Sequence, residues 1–298
     1  MNDRLELRFA LAEGDAVEAG PDLRGRILAA ATAERAAGRS IAPPAWISGA
    51  DAFGRVVGRL GALLADLEPG EWSAGAKGYT EVQQLIGHLV GVEDAFLAVL
   101  AGEEDPGAGI DHRAMTEPAI VGQHGRATAD TLGDWTARTA ASVAAVAALD
   151  PARPVTFYGA SLALDELLVL RAFEMWIHDE DIRRATGRPL ADPDPETLGR
   201  MVEVAIGLLP TGIALAERQR PGCAARLVLT GPGGGTWDVN LDGTDEARRA
   251  DASVVVDAAW FCRVIGDRED VATSGAIVAG EADLVTDLFV GAAALALD

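Results

Sequence analysis

The chain has 298 residues, 49% of them hydrophobic, and a net charge of −21 from 46 acidic and 25 basic side chains. An acidic surface repels phosphate backbones and anionic lipids, so we expect neither a nucleic-acid partner nor a membrane partner. No basic segment followed by an apolar block opens the chain, and its two cysteines form no CxxC motif, so we expect a cytoplasmic protein. The length favours two domains.

The first 47 residues are predicted to be separable from the rest of the chain. A short amphipathic segment and a helical pattern are followed there by Pro43 and Pro44, and proline ends a helix because it has no amide hydrogen to donate. We therefore predict that residues 1–47 form a helical arm, which either packs on the body of the protein or contacts a partner protein.

Four segments after the arm have apolar residues at helical spacing, which predicts four amphipathic helices. Their ranges are 48–67, 80–100, 128–149 and 161–186. Ser48 is predicted to cap the first helix, and Thr80 with Gln83 has the form of a capping box for the second. Val143 is among the positions predicted to face inward in the third. Four long helices joined by loops predict a four-helix bundle over residues 48–190.

Residues 191–298 have a different pattern, in which short strands alternate with helices after a proline-rich linker. The predicted strands are 225–230, 236–241, 253–256 and 276–278, and the predicted helices are 196–218, 258–265 and 281–297. The first two strands flank a glycine-rich turn and predict a hairpin. The predicted fold class is therefore α+β, with the bundle followed by a small C-terminal α+β domain.

Polar groups interrupt the apolar faces of two predicted bundle helices. His88 lies midway along the second helix, and Glu174 and His178, four residues apart, share one face of the fourth. Burying them costs free energy unless each has a partner, and two imidazoles with one carboxylate are typical of a catalytic zinc site. The alternative is a core His88 bonded to Glu174, with His178 at the surface. His112 and His124 lie in an acidic, glycine-rich loop and are expected to be exposed.

Several sequence blocks resemble the mycothiol-dependent maleylpyruvate isomerase family. The blocks are residues 85–93, 171–182, 227–231, 235–237 and 261–268. The resemblance extends from about residue 48 to the end of the chain. It implies a DinB-like four-helix bundle followed by a C-terminal domain similar to sterol carrier proteins, and it implies nothing about the arm.

The resemblance also implies a set of site residues. It puts His88, Glu174 and His178 at the family's three positions for ligands of Zn²⁺ or another divalent metal ion. The active-site arginine of the family matches Arg268, with Arg263 as the second choice, so both are candidates for contact with the cofactor.

The implied chemistry uses mycothiol, a low-molecular-weight thiol, as co-substrate. Zinc held by two neutral imidazoles and one carboxylate keeps a positive charge and lowers the pKa of a bound thiol. The thiol would then isomerise or thiolate a small electrophilic, anionic substrate. Asp181 either orients a ligand imidazole or is a solvated acid at the helix end. Arg268 either holds a substrate carboxylate or forms a surface ion pair.

Two other hypotheses remain open from the sequence alone. One is a zinc-dependent hydrolase on the same bundle, with water instead of a thiol at the open coordination position. The other is a metal-containing interaction module without enzymatic activity, in which residues 1–47 dock on a partner protein.

Overall fold

The structure of this chain, a computed structural model, describes residues 44–105, 112–244, 248–270 and 275–296. These residues all belong to one unit, Pro44–Asp298. The predicted helical arm, apart from residues 44–47, lies outside the described residues. The boundary near residue 190 between a bundle domain and a C-terminal domain stays a prediction.

The first half of the described chain is helical. Its helices are α1 (Gly49–Ala65), α2 (Val82–Leu100), α3 (His112–Val121), α4 (Thr128–Val146) and α5 (Leu164–Ala185). α1 packs against α5, and α2 packs against α4 and the shorter α3. The four long helices α1, α2, α4 and α5 confirm the predicted bundle, and their large buried side chains, such as Phe53, Phe96, Trp135 and Trp176, fill its core.

Local side-chain chemistry explains where the helices begin. Ser48 caps α1 as predicted, because its Oγ accepts a hydrogen bond from the amide of Asp51 at 3.0 Å. The predicted capping box of α2 is wrong. Gln83 points into the bundle, where its amide donates to Thr131 Oγ1 at 2.9 Å, and Glu81 precedes the helix without a side-chain cap. The prediction that Val143 faces inward is also wrong, since it is 38% exposed.

A short hairpin precedes α5 and was not predicted. Its strands are β1 (Pro154–Phe157) and β2 (Ala160–Ala163), and they pair in an antiparallel ladder. Tyr158 and Gly159 form the turn with φ angles of 49° and 77°, and the carboxylate of Asp105 accepts hydrogen bonds from both amides at 2.8 Å. The predicted fourth helix therefore begins at Leu164, three residues later than expected.

The second half confirms the predicted α+β pattern. Its elements are α6 (Pro195–Leu215), β3 (Ala224–Thr230), β4 (Gly235–Asn240), β5 (Ala252–Asp257), α7 (Ala258–Ile265), β6 (Ile277–Gly280) and α8 (Ala282–Ala293). The sheet has the order β4-β3-β5-β6, with β3 and β5 parallel and the outer pairs antiparallel.

One helix of the second half is long and apolar. Among the described residues, α6 is the one helix with the length and composition to cross a membrane. Part of its apolar surface is buried inside the protein, because α6 packs against α8, α5 and α7. The helix therefore connects the bundle to the sheet.

Candidate metal centre

The structure brings the three predicted metal-ligand side chains together inside the bundle. α2 carries His88, and α5 carries Glu174 and His178 one turn apart. One ligand atom from each lies within 4.8 Å of the others, and His88 Nε2 is 3.5 Å from Glu174 Oε1. His178 is only 1% exposed, so the alternative with this histidine at the surface is wrong.

The environment of His88 fixes which of its nitrogens faces the cluster. Its Nδ1 lies 2.8 Å from Thr116 Oγ1, and that hydroxyl can itself donate to the backbone carbonyl of His112 or Arg113 at 3.2 or 3.1 Å. With the hydroxyl hydrogen used there, Thr116 accepts from Nδ1–H, and Nε2 carries the lone pair. Burial lowers the pKa of His88, against the opposing effect of Glu174, and favours the neutral imidazole that a metal requires.

Glu174 is held in its ionised form. Burial alone would raise the pKa of its carboxyl group, but the charge of Arg171 and the contacts with His88 outweigh that effect and lower the pKa to about 2. Arg171 is 2% exposed and pairs with both Glu174 and the buried Glu93. Ser142 donates a further hydrogen bond to Glu93. One buried guanidinium group thus neutralises part of the charge of two carboxylates.

The second histidine is oriented by an acid and an arginine. His178 Nδ1 is 3.1 Å from Asp181 Oδ2, and Arg268 donates to both oxygens of Asp181 at 2.9 and 2.7 Å. Burial raises the pKa of Asp181, but hydrogen bonds from His178 and Arg268 outweigh it and lower the pKa. Asp181 is 2% exposed, so it is not a solvated helix-end acid. Its contact with Nδ1 directs Nε2 of His178 toward the cluster.

The two candidate arginines occupy different places. Arg268 is buried beside the cluster in its pair with Asp181. Arg263 pairs with Glu180 at 2.6 Å and with Asp192 at 2.5 Å. Arg268 therefore does not form the exposed surface ion pair considered for it, and the contact of either arginine with a cofactor stays a prediction.

His112 was expected to be exposed, and that expectation is wrong. It is the first residue of α3 and is 7% exposed, with Nε2 3.7 Å from Glu174 Oε1. Its ring lies 4.9 Å from the ring of His88 and 4.3 Å from that of Tyr158. One sequence feature could have indicated that His112 lies on a helix that faces the cluster, which is its spacing from Thr116 by one helical turn. His124 is exposed, as expected.

A cavity of about 280 Å³ opens beside the cluster. His112, Arg171, Glu174, His178 and Arg268 line its polar part. The larger part is apolar and is enclosed by α5, α6, the β1–β2 hairpin, the end of α7 and the segment after α8. The large apolar side chains that line it are Phe157, Leu162, Leu167, Leu170, Phe173, Ile177, Met201, Leu208, Leu215, Ile265 and Leu295.

The fold and the cluster together describe a four-helix bundle with candidate metal-ligand side chains in its interior and an α+β part after it. Residues 53–183 match the family model described as the mycothiol maleylpyruvate isomerase N-terminal domain. Over this segment, the chain is similar to the N-terminal domain of mycothiol-dependent maleylpyruvate isomerases.

Solved structures are similar to this chain at the level of the fold. The chain is similar to a crystal structure of the mycothiol-dependent maleylpyruvate isomerase, with 14% identity, a TM-score of 0.53, and coverage of 78% of this chain and 92% of that one. A histidine-to-alanine mutant of that enzyme is similar with 12% identity and a TM-score of 0.52, covering 76% and 91%. No curated protein sequence matches the chain.

Proposed function

We propose that this protein is a mycothiol-dependent enzyme that binds a divalent metal ion, zinc as the first choice, through His88, Glu174 and His178. The observation that carries the proposal is the pair of atoms His88 Nε2 and Glu174 Oε1. Both are buried, face each other at 3.5 Å, and have no hydrogen-bond partner among the described residues. Two acceptors in this arrangement repel unless a cation lies between them.

The donor set fits zinc better than it fits magnesium or calcium. Two imidazoles and one carboxylate are ligands that zinc prefers, and three protein ligands leave a coordination position for a co-substrate. Magnesium and calcium instead favour sites made mainly of oxygen ligands. Zinc bound here would stabilise the thiolate form of a thiol.

The surrounding side chains keep the three ligands ready for the metal. Thr116 holds the tautomer of His88, Asp181 holds that of His178, and Arg171 keeps Glu174 ionised. Contacts of this kind, from residues that do not bind the metal themselves, usually orient metal ligands. Together they make the site ready before a substrate arrives.

The thiol must come from outside the chain. Cys262 is fully buried, and burial raises the pKa of its thiol far above neutral pH. Neither Cys262 nor Cys223 lines the cavity next to the cluster. Mycothiol, which the family name specifies for its relatives, is the co-substrate we propose.

The reaction follows from thiol addition to an activated double bond. The sulfur forms a bond to the alkene carbon β to the activating carbonyl group, and the π electron pair moves onto that carbonyl as an enolate. The former double bond is then a single bond about which the two halves can rotate. Elimination of the thiolate then restores the double bond in the trans form, which is isomerisation. If the neighbouring carbon takes up a proton instead, the adduct persists, and the enzyme is a thiol transferase.

Metal content and thiol dependence test this proposal. We expect the purified protein to bind about one zinc ion per chain and to convert maleylpyruvate, or another electrophilic alkene, only when mycothiol is present. His88→Ala and His178→Ala should lose zinc, whereas the exposed His124→Ala should retain it. Stoichiometric zinc in both ligand variants would refute the assignment of the site. Hydrolysis of a substrate without thiol would favour the hydrolase hypothesis.

A further inference from the structure

We infer that the cavity beside the cluster takes a neutral substrate with an apolar body, and not a small dicarboxylate. The inference rests on the proposed function and narrows its substrate class. It also revises the expectation of an anionic substrate. The argument comes from the wall of the cavity, the charges at its polar end and the side chains at its rim.

The wall of the cavity is built from apolar side chains on several elements. α5 contributes Leu170, Phe173 and Ile177, while Leu208 comes from α6 and Phe157 from the hairpin. A charged substrate body against such a wall would lose its hydration without gaining hydrogen bonds, which costs several kcal/mol. An apolar body gains about 25 cal/mol for each Å² that it buries. The wall therefore selects against charge.

The positive charges at the polar end are already paired inside the protein. Two arginines line the cavity among the described residues. Arg171 is paired with Glu93 and Glu174, and Arg268 with Asp181. Arg268 also donates to the carbonyl oxygen of Gly266. Its charge and part of its donor set are therefore engaged before any substrate carboxylate enters.

A count of charges leads to the same conclusion. The carboxylates of Glu93, Glu174 and Asp181 carry three negative charges. The guanidinium groups of Arg171 and Arg268 carry two positive charges, so these groups have a net charge of minus one. A divalent metal bound by neutral imidazoles would turn this into one positive charge, which one thiolate neutralises. No positive charge then remains for a dicarboxylate substrate, whereas a neutral electrophile adds no charge.

The rim of the cavity is also apolar. Leu215, at the end of α6, lines the cavity and is 67% exposed. Ala294 and Leu295, just after α8, line the same region. An exposed leucine beside a cavity offers a contact surface to an apolar substrate that enters or extends out of it. The electrophilic group would then face Glu174 and His178 while the apolar body contacts this wall.

Binding measurements with unreactive probes test the inference directly. The probes are 4-phenylbutan-2-one, a neutral aryl ketone without an activated alkene, and maleate, a dicarboxylate. Isothermal titration calorimetry with the zinc-loaded full chain should give at least about tenfold tighter binding of the ketone. Equal or tighter binding of maleate would overturn the inference.

Variants locate the binding to this cavity. Leu208→Arg adds a cation to the wall and should weaken ketone binding by at least about tenfold. Val121→Arg, at a 59% exposed position on α3, is the matched control and should bind the ketone like the unmodified protein. If Leu208→Arg does not fold, Thr211→Trp, which fills the cavity from an exposed position on α6, replaces it. Unchanged ketone binding in the folded variant would overturn the inference.

A reaction assay separates this inference from the proposed function. Benzylideneacetone, the unsaturated relative of the ketone, should form a one-to-one adduct with mycothiol. In that adduct the sulfur bonds to the β carbon and the thiol hydrogen ends on the α carbon. Tight ketone binding with no thiol-dependent turnover of any alkene would refute the proposed function and support the substrate class. Efficient mycothiol-dependent turnover of maleylpyruvate, with no ketone binding, would support the proposed function and overturn the inference about the substrate class.

Discussion

Buried polar side chains are distributed very unevenly between the helical bundle and the sheet region. The helices of the bundle bury many ionisable groups, which are His88, Glu93, His112, Arg171, His178, Asp179, Glu180 and Asp181. In the sheet region, over the described residues from 224 to 296, the buried charged side chains are Asp287, which pairs with Arg218 and Arg220, and Arg268, which reaches out of the region to Asp181 on α5. The same chain thus builds one polar interior and one apolar interior.

The difference indicates what each region contributes. The sheet region is stabilised by apolar burial, which is favourable without any special geometry. The bundle has to offset the desolvation of several charges through pairing, which rarely improves stability over an apolar core. Buried charges of this kind concentrate at functional sites. The bundle therefore carries the candidate site, and the sheet region supplies a packed support and the arginine that pairs with Asp181.

The largest expected effect comes from removing the central cation of the bundle. Arg171→Met would leave Glu93 and Glu174 buried without their shared counter-charge. We expect the free energy of unfolding of the metal-free protein to fall by about 3–5 kcal/mol, as measured by urea denaturation.

The sheet region offers a matched control for this variant. Arg226 pairs with Asp238 at 2.7 Å, but both side chains are exposed. Arg226→Met should change the free energy of unfolding by less than about 1 kcal/mol. Equal losses in the two variants would remove the distinction between the two interiors.

A core substitution in the sheet region should lower stability without affecting the metal. Val254 on β5 is fully buried, and Val254→Ala should lower the free energy of unfolding by about 1.5–3 kcal/mol. Zinc content, measured by atomic absorption on the folded variant, should stay the same as in the unmodified protein. Loss of zinc from the folded variant would mean that the metal centre depends on sheet packing.

The two arginines that connect the regions should differ in their effect on zinc. Arg268→Ala removes the partner of Asp181 and should weaken zinc binding by about 10- to 100-fold, measured by competition with a chelator. Arg263→Ala breaks the pair with Glu180, away from the ligands, and should leave zinc affinity nearly unchanged. If Arg268 held a substrate carboxylate instead, Arg268→Ala would keep its zinc and lose turnover of an anionic substrate.

The smallest effect concerns the outer surface of the bundle. Val143 on α4 is 38% exposed, whereas Val146 on the same helix is 5% exposed. Val143→Thr should change the free energy of unfolding by less than about 0.5 kcal/mol, and Val146→Thr should cost more because it buries a hydroxyl group. The reverse order in thermal denaturation would contradict the packing of α4.

Periodicity was sufficient to predict most of the fold and the central cluster. The spacing of Glu174 and His178 requires only one helix, so it is visible in the sequence. His112 was missed because its segment is short, acidic and contains Pro118 inside α3, which are features typical of a loop. The hairpin before α5 was missed because residues 161–163 also fit a helical pattern and Tyr158 adopts an uncommon positive φ.

The partners of the site residues were harder to predict than the residues themselves. Asp181 and Arg268 are far apart in the chain, and no spacing rule connects an acid on α5 to an arginine just after α7. Such pairs depend on how the helices pack. A single sequence therefore revealed the candidate ligands and offered Asp181 as an acid that could orient one of them, but it did not reveal the pairing of Asp181 with Arg268 or the contact of Thr116 with His88.

The distance along the chain between the candidate ligands has a consequence for folding. His88 precedes Glu174 by 86 positions, from 174 minus 88, so an unfolded chain holds the two together only at a large entropic cost. Zinc would then bind the docked α2–α5 pair far better than the unfolded chain, and its binding free energy would add to the stability of that pair. During refolding, zinc uptake would therefore report the moment when these two helices meet.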